Sequence, residues 1–391
     1  MKLISTSISF FLLSATSFVV TATPQRRSDI NEVVTAETPD SSIIDNLLDH
    51  NATILNTVKA FDGIIFGNFE AQTGTQRFNG SLAVQGNFTA TNFKVNSDRT
   101  IDCPVNTTAV SLDSFGLVIG GALTVKNATV NGASYHASGS VTAEGIKNND
   151  CNRYANIDFN VLQNEARTIS KFFANQRPNM VIRDVGYLTD GEYTSTSNQD
   201  YYIYTFNKCA EKFCELPNYL YSDSEEIFNG GNWTGPYNAN YPKDKPIIFN
   251  IPVQNNSFFN MSTANPAAGL EGAAVLYNVY PATATGAYDP SGHVVWLRNT
   301  THIINGFMLA PSAFVVENNI GGFNGHLVAS QYLSVLENEY ALLNSNPLLY
   351  NALLNNNFTL NDRTDFNNNI TTTNNSTTPI NYNNTSTNSG A

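Results

Sequence analysis

Short apolar runs bounded by turn-forming residues dominate the central part of the chain. Five of these runs fall at residues 82–84, 117–119, 123–125, 294–297 and 314–316. Gly, Asn or Pro lies close to each run, which is the usual punctuation of short β-strands. The pattern therefore predicts a mainly β protein.

A weak repeat of nineteen residues accompanies these runs. Gly-Asn-Phe at 67–69 recurs at 86–88, Gly120 recurs as Gly139, and the segment 305–310 recurs at 324–329. A period near twenty residues is typical of a β-solenoid, in which each coil stacks its apolar face on the next. The repeat predicts a β-solenoid, with a β-sandwich as the alternative because Gly and Asn are common enough here to produce coincident spacings.

One segment departs from the β pattern and has helical periodicity. Residues 159–176 place Leu162, Ala166, Ile169 and Phe173 on one stripe, and Pro178 follows shortly after. This spacing predicts one amphipathic α-helix that packs on the flank of the β domain. A second, shorter helix over residues 332–343 is expected to cap the last coil.

The two ends of the chain differ from its centre. Residues 1–22 have the pattern of a cleaved signal peptide, and the many Ser and Thr residues within them argue against a permanent membrane anchor. We expect a polar leader over 23–58, the β domain over 59–345, and a disordered Asn/Thr-rich tail over 346–391. The protein is thus expected to be secreted, extracellular or in the cell wall, with no integral membrane segment after cleavage.

Charge and cysteine content narrow the possible partners. Twenty Lys and Arg against thirty-two Asp and Glu give a net charge of −12, which argues against a nucleic-acid partner. The four cysteines favour two disulfides in an oxidising compartment, for which three pairings are possible. The short spacing of Cys209 and Cys214 suggests one bridge, which leaves Cys103 with Cys151.

Secretion also gives meaning to the glycosylation motifs. The chain contains fifteen Asn-x-Ser/Thr sequons, six of which lie beyond residue 355. N-glycans mark surface positions in secreted proteins of eukaryotes. The sequons before that residue are candidate glycosylation sites: Asn51, Asn79, Asn87, Asn106, Asn127, Asn232, Asn255, Asn260 and Asn299.

Several blocks together resemble a known family. The order runs from Phe-Gly-Asn-Phe at 66–69 through Gly-Ser-Leu-Ala-Val-Gln-Gly at 80–86 to Val-Ile-Gly-Gly-Ala-Leu at 118–123. It closes with Gly-Phe-Met-Leu-Ala-Pro-Ser-Ala at 306–313 and Gly-His-Leu-Val-Ala at 325–329. This order resembles the choice-of-anchor A domain family, although Gln85 stands where the family usually has a second Gly.

The resemblance implies a secreted, adhesin-like surface protein, of a kind sometimes labelled collagen-binding. It therefore implies a non-enzymatic protein that binds an extracellular matrix protein or a cell-wall polysaccharide. Aromatic residues are dense around the second cysteine pair, and aromatic side chains offer large contact areas. Our candidate ligand-binding residues there are Trp233, Tyr237, Tyr219 and Tyr221.

Catalytic chemistry has little support in the sequence. None of the common hydrolase, metalloprotease or Ca²⁺-loop motifs is present. A carbohydrate-active hydrolase or lyase remains an alternative, using Asp62 or the cluster of Asp223, Glu225 and Glu226. We expect no cofactor and no metal site, since His293, His302 and His326 would have to meet by stacking.

Ice binding is the third alternative, because stacked coils can present flat arrays of threonine. The segments 89–91 and 283–285 both read Thr-Ala-Thr. Neither recurs after nineteen residues, so the sequence does not predict a stacked threonine plane.

Overall fold

The computed structural model describes thirteen stretches of the chain, and every structural statement below concerns these residues. They are 53–71, 77–97, 111–137, 141–147, 151, 153–183, 187–190, 201–206, 228, 245–262, 274–300, 303–318 and 322–335.

The described part of the chain is mainly β, as predicted. It contains helices α1 (Thr53–Ala60) and α2 (Phe159–Ala174) and a 3₁₀ turn (Leu112–Ser114). The strands are β1 (Gly63–Ile65), β2 (Phe69–Ala71), β3 (Arg77–Phe78), β4 (Leu82–Val84), β5 (Phe88–Thr91), β6 (Lys94–Val95), β7 (Phe115–Ile119), β8 (Leu123–Val130), β9 (Ala133–His136), β10 (Val141–Lys147), β11 (Met180–Arg183), β12 (Tyr187–Asp190), β13 (Tyr202–Thr205), β14 (Ile247–Gln254), β15 (Phe258–Met261), β16 (Val275–Ala282), β17 (Val294–Arg298), β18 (Ile303–Glu317) and β19 (Gly322–Ser334).

Seventeen of these strands form one curled, parallel, solenoid-like sheet. Its strands stack in three rows, and each circuit of the chain through the rows is a layer. Row A runs β9, β7, β4, β1, β19, β18, β16, β14, β13. Row B runs β10, β8, β5, β2, β19, β18, β17, β15, and row C contains β3, β6 and the end of β8. The strand pairs of this sheet are parallel, unlike those of an antiparallel sandwich.

The nineteen-residue repeat corresponds to the pairing register. Phe69 pairs with Phe88, and the segment 305–310 pairs residue by residue with 324–329. The Phe69 ring lies between those of Phe88 and Tyr332, with centroids 4.9 and 4.7 Å away. Each such aromatic pair contributes about 0.5–1.5 kcal/mol beyond its buried area.

The glycines of the repeat are explained by the closeness of the layers. A Cβ on Gly86 would lie 2.6 Å from the carbonyl oxygen of Gly67, and a Cβ on Gly121 would lie 2.5 Å from that of Gly86. Only glycine therefore fits at this corner between rows A and B. Gln85, the departure from the family pattern, donates from Nε2 to Asn160 Oδ1 at 3.1 Å and so reaches the start of α2.

The first and last strands of the β domain are neighbours in the sheet. Strand β1 pairs with β4 on one side and with β19 on the other, and β2 likewise lies between β5 and β19. The first layer therefore stacks directly on the last one, and the remaining layers extend away from this junction in both directions.

The predicted amphipathic helix is confirmed. Asp158 caps α2 by accepting the Val161 N–H at 3.1 Å, and Leu162, Ala166 and Phe173 are buried against row A. Ile169 packs against the same cluster while partly exposed.

The second predicted helix is wrong where the structure describes it. Residues 332–334 belong to β19, because Tyr332 points inward and stacks on Phe69 while the backbone pairs with β2. Residues 336–343 lie outside the described part.

Candidate functional site

Row A is covered by the helices on its outer side. Ile64, Ala83 and Val118 from successive strands pack with Leu162 and Ala166 of α2, and all five are buried. The outer side of row A is therefore part of the core where α2 covers these strands.

Row B differs between its two halves. In strands β15, β17, β18 and β19 most of its outward residues are buried: Phe258, Val295, Leu297, Phe314, Val316 and Leu333. Asn260 and Gln331 on the same face are partly exposed. In β5 and β8 the outward residues Thr89 and Thr91 are half-exposed, and Thr124 and Lys126 are exposed. Among the strands described, the fully exposed outward side chains of row B therefore lie in β8, in the N-terminal half.

Row C continues this exposed area around the corner. Arg77 and Lys94 are exposed and Thr129 is half-exposed, while the alternate residues Phe78, Val95 and Val130 point into the core. We call the combined area the threonine–lysine surface, defined by Arg77, Thr89, Thr91, Lys94, Thr124, Lys126 and Thr129.

The register of the strands aligns these side chains in ranks. Thr89 pairs with Thr124 and Thr91 with Lys126, while Arg77, Lys94 and Thr129 pair in sequence. Neighbouring strands lie about 4.8 Å apart, so hydroxyl and cationic groups are held at a regular spacing. Three cations, Arg77, Lys94 and Lys126, thus lie on this two-row surface of a chain whose net charge is −12. The register also places Glu70 next to Thr89 and Glu144 next to Lys126.

Asparagines in left-handed conformation build the corner between the two ranks. Asn92 and Asn127 have φ of 53° and 54°, and Asn127 Nδ2 donates to Asn92 Oδ1 at 2.8 Å. Asn tolerates this conformation better than other residues with a side chain. The corner therefore has the same conformation in two successive layers, and the surface can offer donors and positive charge to hydroxyl-rich or anionic groups.

The charged cluster inside the sheet is inaccessible. Arg298 Nη1 lies 3.4 Å from Glu317 Oε2, Tyr332 donates its hydroxyl to Glu317 Oε1, and all three residues are buried. Burial first, and then the charge of Glu317, raises the pKa of Tyr332 well above its usual range. This cluster lies in the core and is not placed to act on a substrate.

Asp62 and His326, which the sequence suggested for chemistry, also make structural contacts. The Asp62 carboxylate accepts the Ser81 N–H at 2.9 Å and its hydroxyl at 3.2 Å. His326 Nδ1 lies 3.1 Å from the carbonyl oxygen of Phe61. Within the described ranges, no group of three or more His, Cys, Asp or Glu is placed to hold a metal ion.

The aromatic candidates and most other predicted sites lie outside the described residues and stay predictions. These are Trp233, Tyr237, Tyr219 and Tyr221, the acids Asp223, Glu225 and Glu226, His302, Cys103, Cys209 and Cys214, and the sequons Asn51, Asn106 and Asn232. Cys151 is buried and disulfide-bonded, but its pairing with Cys103 stays a prediction because the partner lies outside these ranges.

Six predicted sequons are described, and their exposure differs. Asn87, Asn127 and Asn299 are exposed, whereas Asn79, Asn255 and Asn260 are half-buried.

Sequence reasoning missed the threonine–lysine surface. The Thr-Ala-Thr segment at 89–91 does not recur after nineteen residues, so the repeat does not predict that its threonines align with others. Asn87 and Ala122, one layer apart, are separated by 35 residues, since the intervening stretch is longer than a usual turn. Outward Thr and Lys at alternate positions of β5 and β8 were the available signal.

Comparison with known proteins supports a family for the chain. Residues 54–340 match a family model described as "Putative Ice-binding-like adhesive domain". No curated protein and no solved structure matches the chain. Within the residues described, neither helix is long and apolar enough to cross a membrane. The adhesin-like character that the sequence resemblance implied is confirmed, and the chain belongs to this family of ice-binding-like adhesive domains.

Proposed function

We propose that the protein is a secreted, non-enzymatic adhesin that binds a cell-wall polysaccharide through the threonine–lysine surface. The family match over 54–340 supports the adhesive role. The observation that carries the choice of surface is the pairing of Thr89 with Thr124, of Thr91 with Lys126 and of Lys94 with Thr129, all of which are exposed or half-exposed.

The chemistry of this surface favours a polysaccharide over an extracellular matrix protein. A rigid array of hydroxyl, amide and cationic donors matches the repeating hydroxyl and carboxylate groups of a linear sugar polymer. Protein interfaces instead centre on buried aromatic anchors, and the described part of this surface has none. A matrix protein is the partner to expect if Trp233 and Tyr237 form the contact.

The remaining features fit this role as parts of one proposal. The curled sheet would be a β-solenoid with one flanking helix, a rigid scaffold that keeps the surface in register. Residues 1–22 would be removed as a signal peptide, and the Asn/Thr-rich tail would act as a stalk. The sequence blocks that resemble the choice-of-anchor A domain family would reflect a relationship to those surface proteins.

Binding of cell-wall polysaccharides to charge variants tests the proposal. The change Lys94→Glu with Lys126→Glu should weaken binding at least tenfold, because two exposed cations become anions facing the ligand. Lys171→Glu, an exposed lysine on the outer side of α2, is the matched control and should bind normally.

A parallel variant separates the two candidate surfaces. If Trp233→Ala with Tyr237→Ala abolishes binding while the lysine variant binds normally, the recognition surface lies in the aromatic insertion. Release of shortened oligosaccharides from the bound polymer would contradict the non-enzymatic assignment.

Ice binding is a second candidate, favoured by one specific observation. The register places Thr89, Thr124 and Thr142 in adjacent strands of row B. The adjacent rank contains Lys126, whose charge interrupts a threonine plane. Thermal hysteresis that disappears in Thr124→Leu but persists in Lys171→Glu would establish this candidate instead of the polysaccharide adhesin.

A further inference from the structure

The six described sequons differ in which end of the asparagine amide is used by the fold. N-glycosylation needs the amide nitrogen, Nδ2, because that atom forms the bond to the sugar. The amide oxygen, Oδ1, is free to stay in a hydrogen bond when the nitrogen is modified. The folded protein therefore tolerates a glycan where the fold uses only Oδ1, and does not where Nδ2 is held in a buried hydrogen bond.

Asn87 uses its oxygen. The backbone N–H of Ala122 in the next layer donates to Asn87 Oδ1 at 2.9 Å. A backbone N–H can only donate, so the oxygen must face it and Nδ2 must point the other way. Since the side chain is exposed, this nitrogen faces solvent.

Asn255 uses both ends. The backbone N–H of His293 donates to Oδ1 at 3.1 Å, which fixes the amide orientation in the same way. Nδ2 donates to Asp289 Oδ2 at 3.0 Å, and the residue is half-buried. The other oxygen of Asp289 accepts the N–H and hydroxyl of Ser291 at 3.0 and 2.8 Å, so the carboxylate organises the turn that lies against Asn255.

Glycan transfer would act on these two nitrogens very differently. The donor is an oligosaccharide on a polyprenyl diphosphate; Nδ2 bonds to the anomeric carbon and loses a proton. The bond from that carbon to the diphosphate oxygen breaks, and the diphosphate leaves with the electron pair. At Asn255 the sugar would occupy the space of the Asp289 turn, whereas at Asn87 it would project into solvent.

We propose that Asn87 carries an N-glycan in the secreted protein and that Asn255 does not. Transfer precedes folding in a eukaryotic secretory pathway, so the fold acts by selection: a chain with a glycan on Asn255 cannot close the Asp289 turn. Asn299, whose Oδ1 accepts from Asn318, and Asn79, whose Oδ1 accepts from Ser97 Oγ at 3.2 Å, share the Asn87 arrangement. Asn127 also uses its nitrogen, because its Nδ2 donates to Asn92 Oδ1 at 2.8 Å.

The test uses the full chain secreted from a yeast host, with intact mass measured before and after enzymatic removal of N-glycans. Thr89→Ala destroys the Asn87 sequon without changing Asn87 and should remove the mass of one glycan. Thr89→Ser keeps the sequon and should retain that glycan. Ser257→Ala destroys the Asn255 sequon and should leave the glycan mass unchanged.

A further variant removes the difference between the two acceptor sequences. Ser257→Thr gives Asn255 the same hydroxyl residue that follows Asn87 and should still add no glycan to the secreted protein. The proposal is overturned if either change at Ser257 alters the mass by one glycan, or if Thr89→Ala leaves it unchanged. Thermal unfolding of each secreted variant verifies that the fold is retained.

Discussion

At the scale of single residues, asparagine side chains replace backbone hydrogen bonds where strands end. Asn179 lies beside the terminal strand β13, where its Oδ1 accepts the Ile203 N–H at 2.7 Å and its Nδ2 donates to Tyr201 O at 3.1 Å. The side chain thereby satisfies an edge that would otherwise expose unpaired groups. Between two layers, Asn87 Oδ1 likewise accepts a backbone N–H, that of Ala122.

Asn179→Ala should destabilise the protein by about 1–3 kcal/mol, because it leaves the buried Ile203 N–H without an acceptor. Chemical denaturation measures the change. Asn175→Ala, at an exposed position after α2, is the control and should stay within about 0.5 kcal/mol of the parent.

Arg298 and Glu317 form a buried ion pair, so removing one partner leaves an uncompensated charge. Arg298→Met should cost about 3–5 kcal/mol in unfolding free energy. Arg298→Met with Glu317→Gln should cost less than the single change, because the neutral amide still accepts the Tyr332 hydroxyl. A double variant less stable than Arg298→Met would contradict this account.

Buried tyrosines predict a loss of stability in alkali. Burial raises the pKa of Tyr277, and burial together with Glu317 raises that of Tyr332. Unfolded tyrosine ionises near pH 10, so this contribution is complete below about pH 10 and falls as pH rises further. Unfolding free energies at pH 8 and pH 11 should differ less in Tyr277→Phe than in the parent; an equal difference would show that Tyr277 does not contribute.

At the scale of elements, a polar clamp fixes the end of α2 on row A. Ser170 Oγ donates to Asn278 Oδ1 at 2.7 Å, and Asn278 Nδ2 lies 2.8 Å from Asn250 Oδ1. Asn250 Nδ2 in turn donates to the Phe173 carbonyl oxygen at 2.6 Å. These groups are buried, so any position of α2 that breaks their hydrogen bonds leaves polar atoms unsatisfied. The network therefore favours a single docked position of the helix.

Asn278→Ala should loosen α2 more than the sheet beneath it, because Ser170 and Asn250 both lose a buried partner. The expected cost is about 2–6 kcal/mol, from two groups left unsatisfied at about 1–3 kcal/mol each. Hydrogen exchange should accelerate most in α2. Asn164→Ala, exposed on the same helix, is the control, and equal acceleration in both variants would contradict the clamp.

At the scale of the whole molecule, the first and last layers depend on each other. Strand β19 lies between β18 on one side and β1 and β2 on the other. The layers of β1 and β2 and of β18 and β19 come from opposite ends of the β domain. Because they share β19 as a pairing partner, we expect them not to fold as separate halves.

A chain ending at Asn318 should fail to fold cooperatively, because β1 and β2 lose their partner strand and Phe69 loses the Tyr332 ring. A chain ending near Asn355 keeps β19 and should retain both its melting transition and its ligand binding. Circular dichroism on heating distinguishes them. A sharp transition in the shorter chain would show that the N-terminal layers are independent.

The sequence by itself determined α2 and the nineteen-residue registers. A helical stripe such as Leu162, Ala166 and Phe173 and a repeated Gly-Asn-Phe are local patterns, and their spacing follows directly from helix pitch and layer length. Only the tertiary structure decided that Phe69 stacks on Tyr332 and that Thr89 aligns with Thr124. No local period relates the residues in these contacts. The stretches between layers differ in length, which separates Thr89 from Thr124 by 35 residues. The last strand, β19, pairs with β1 and β2 at the other end of the β domain.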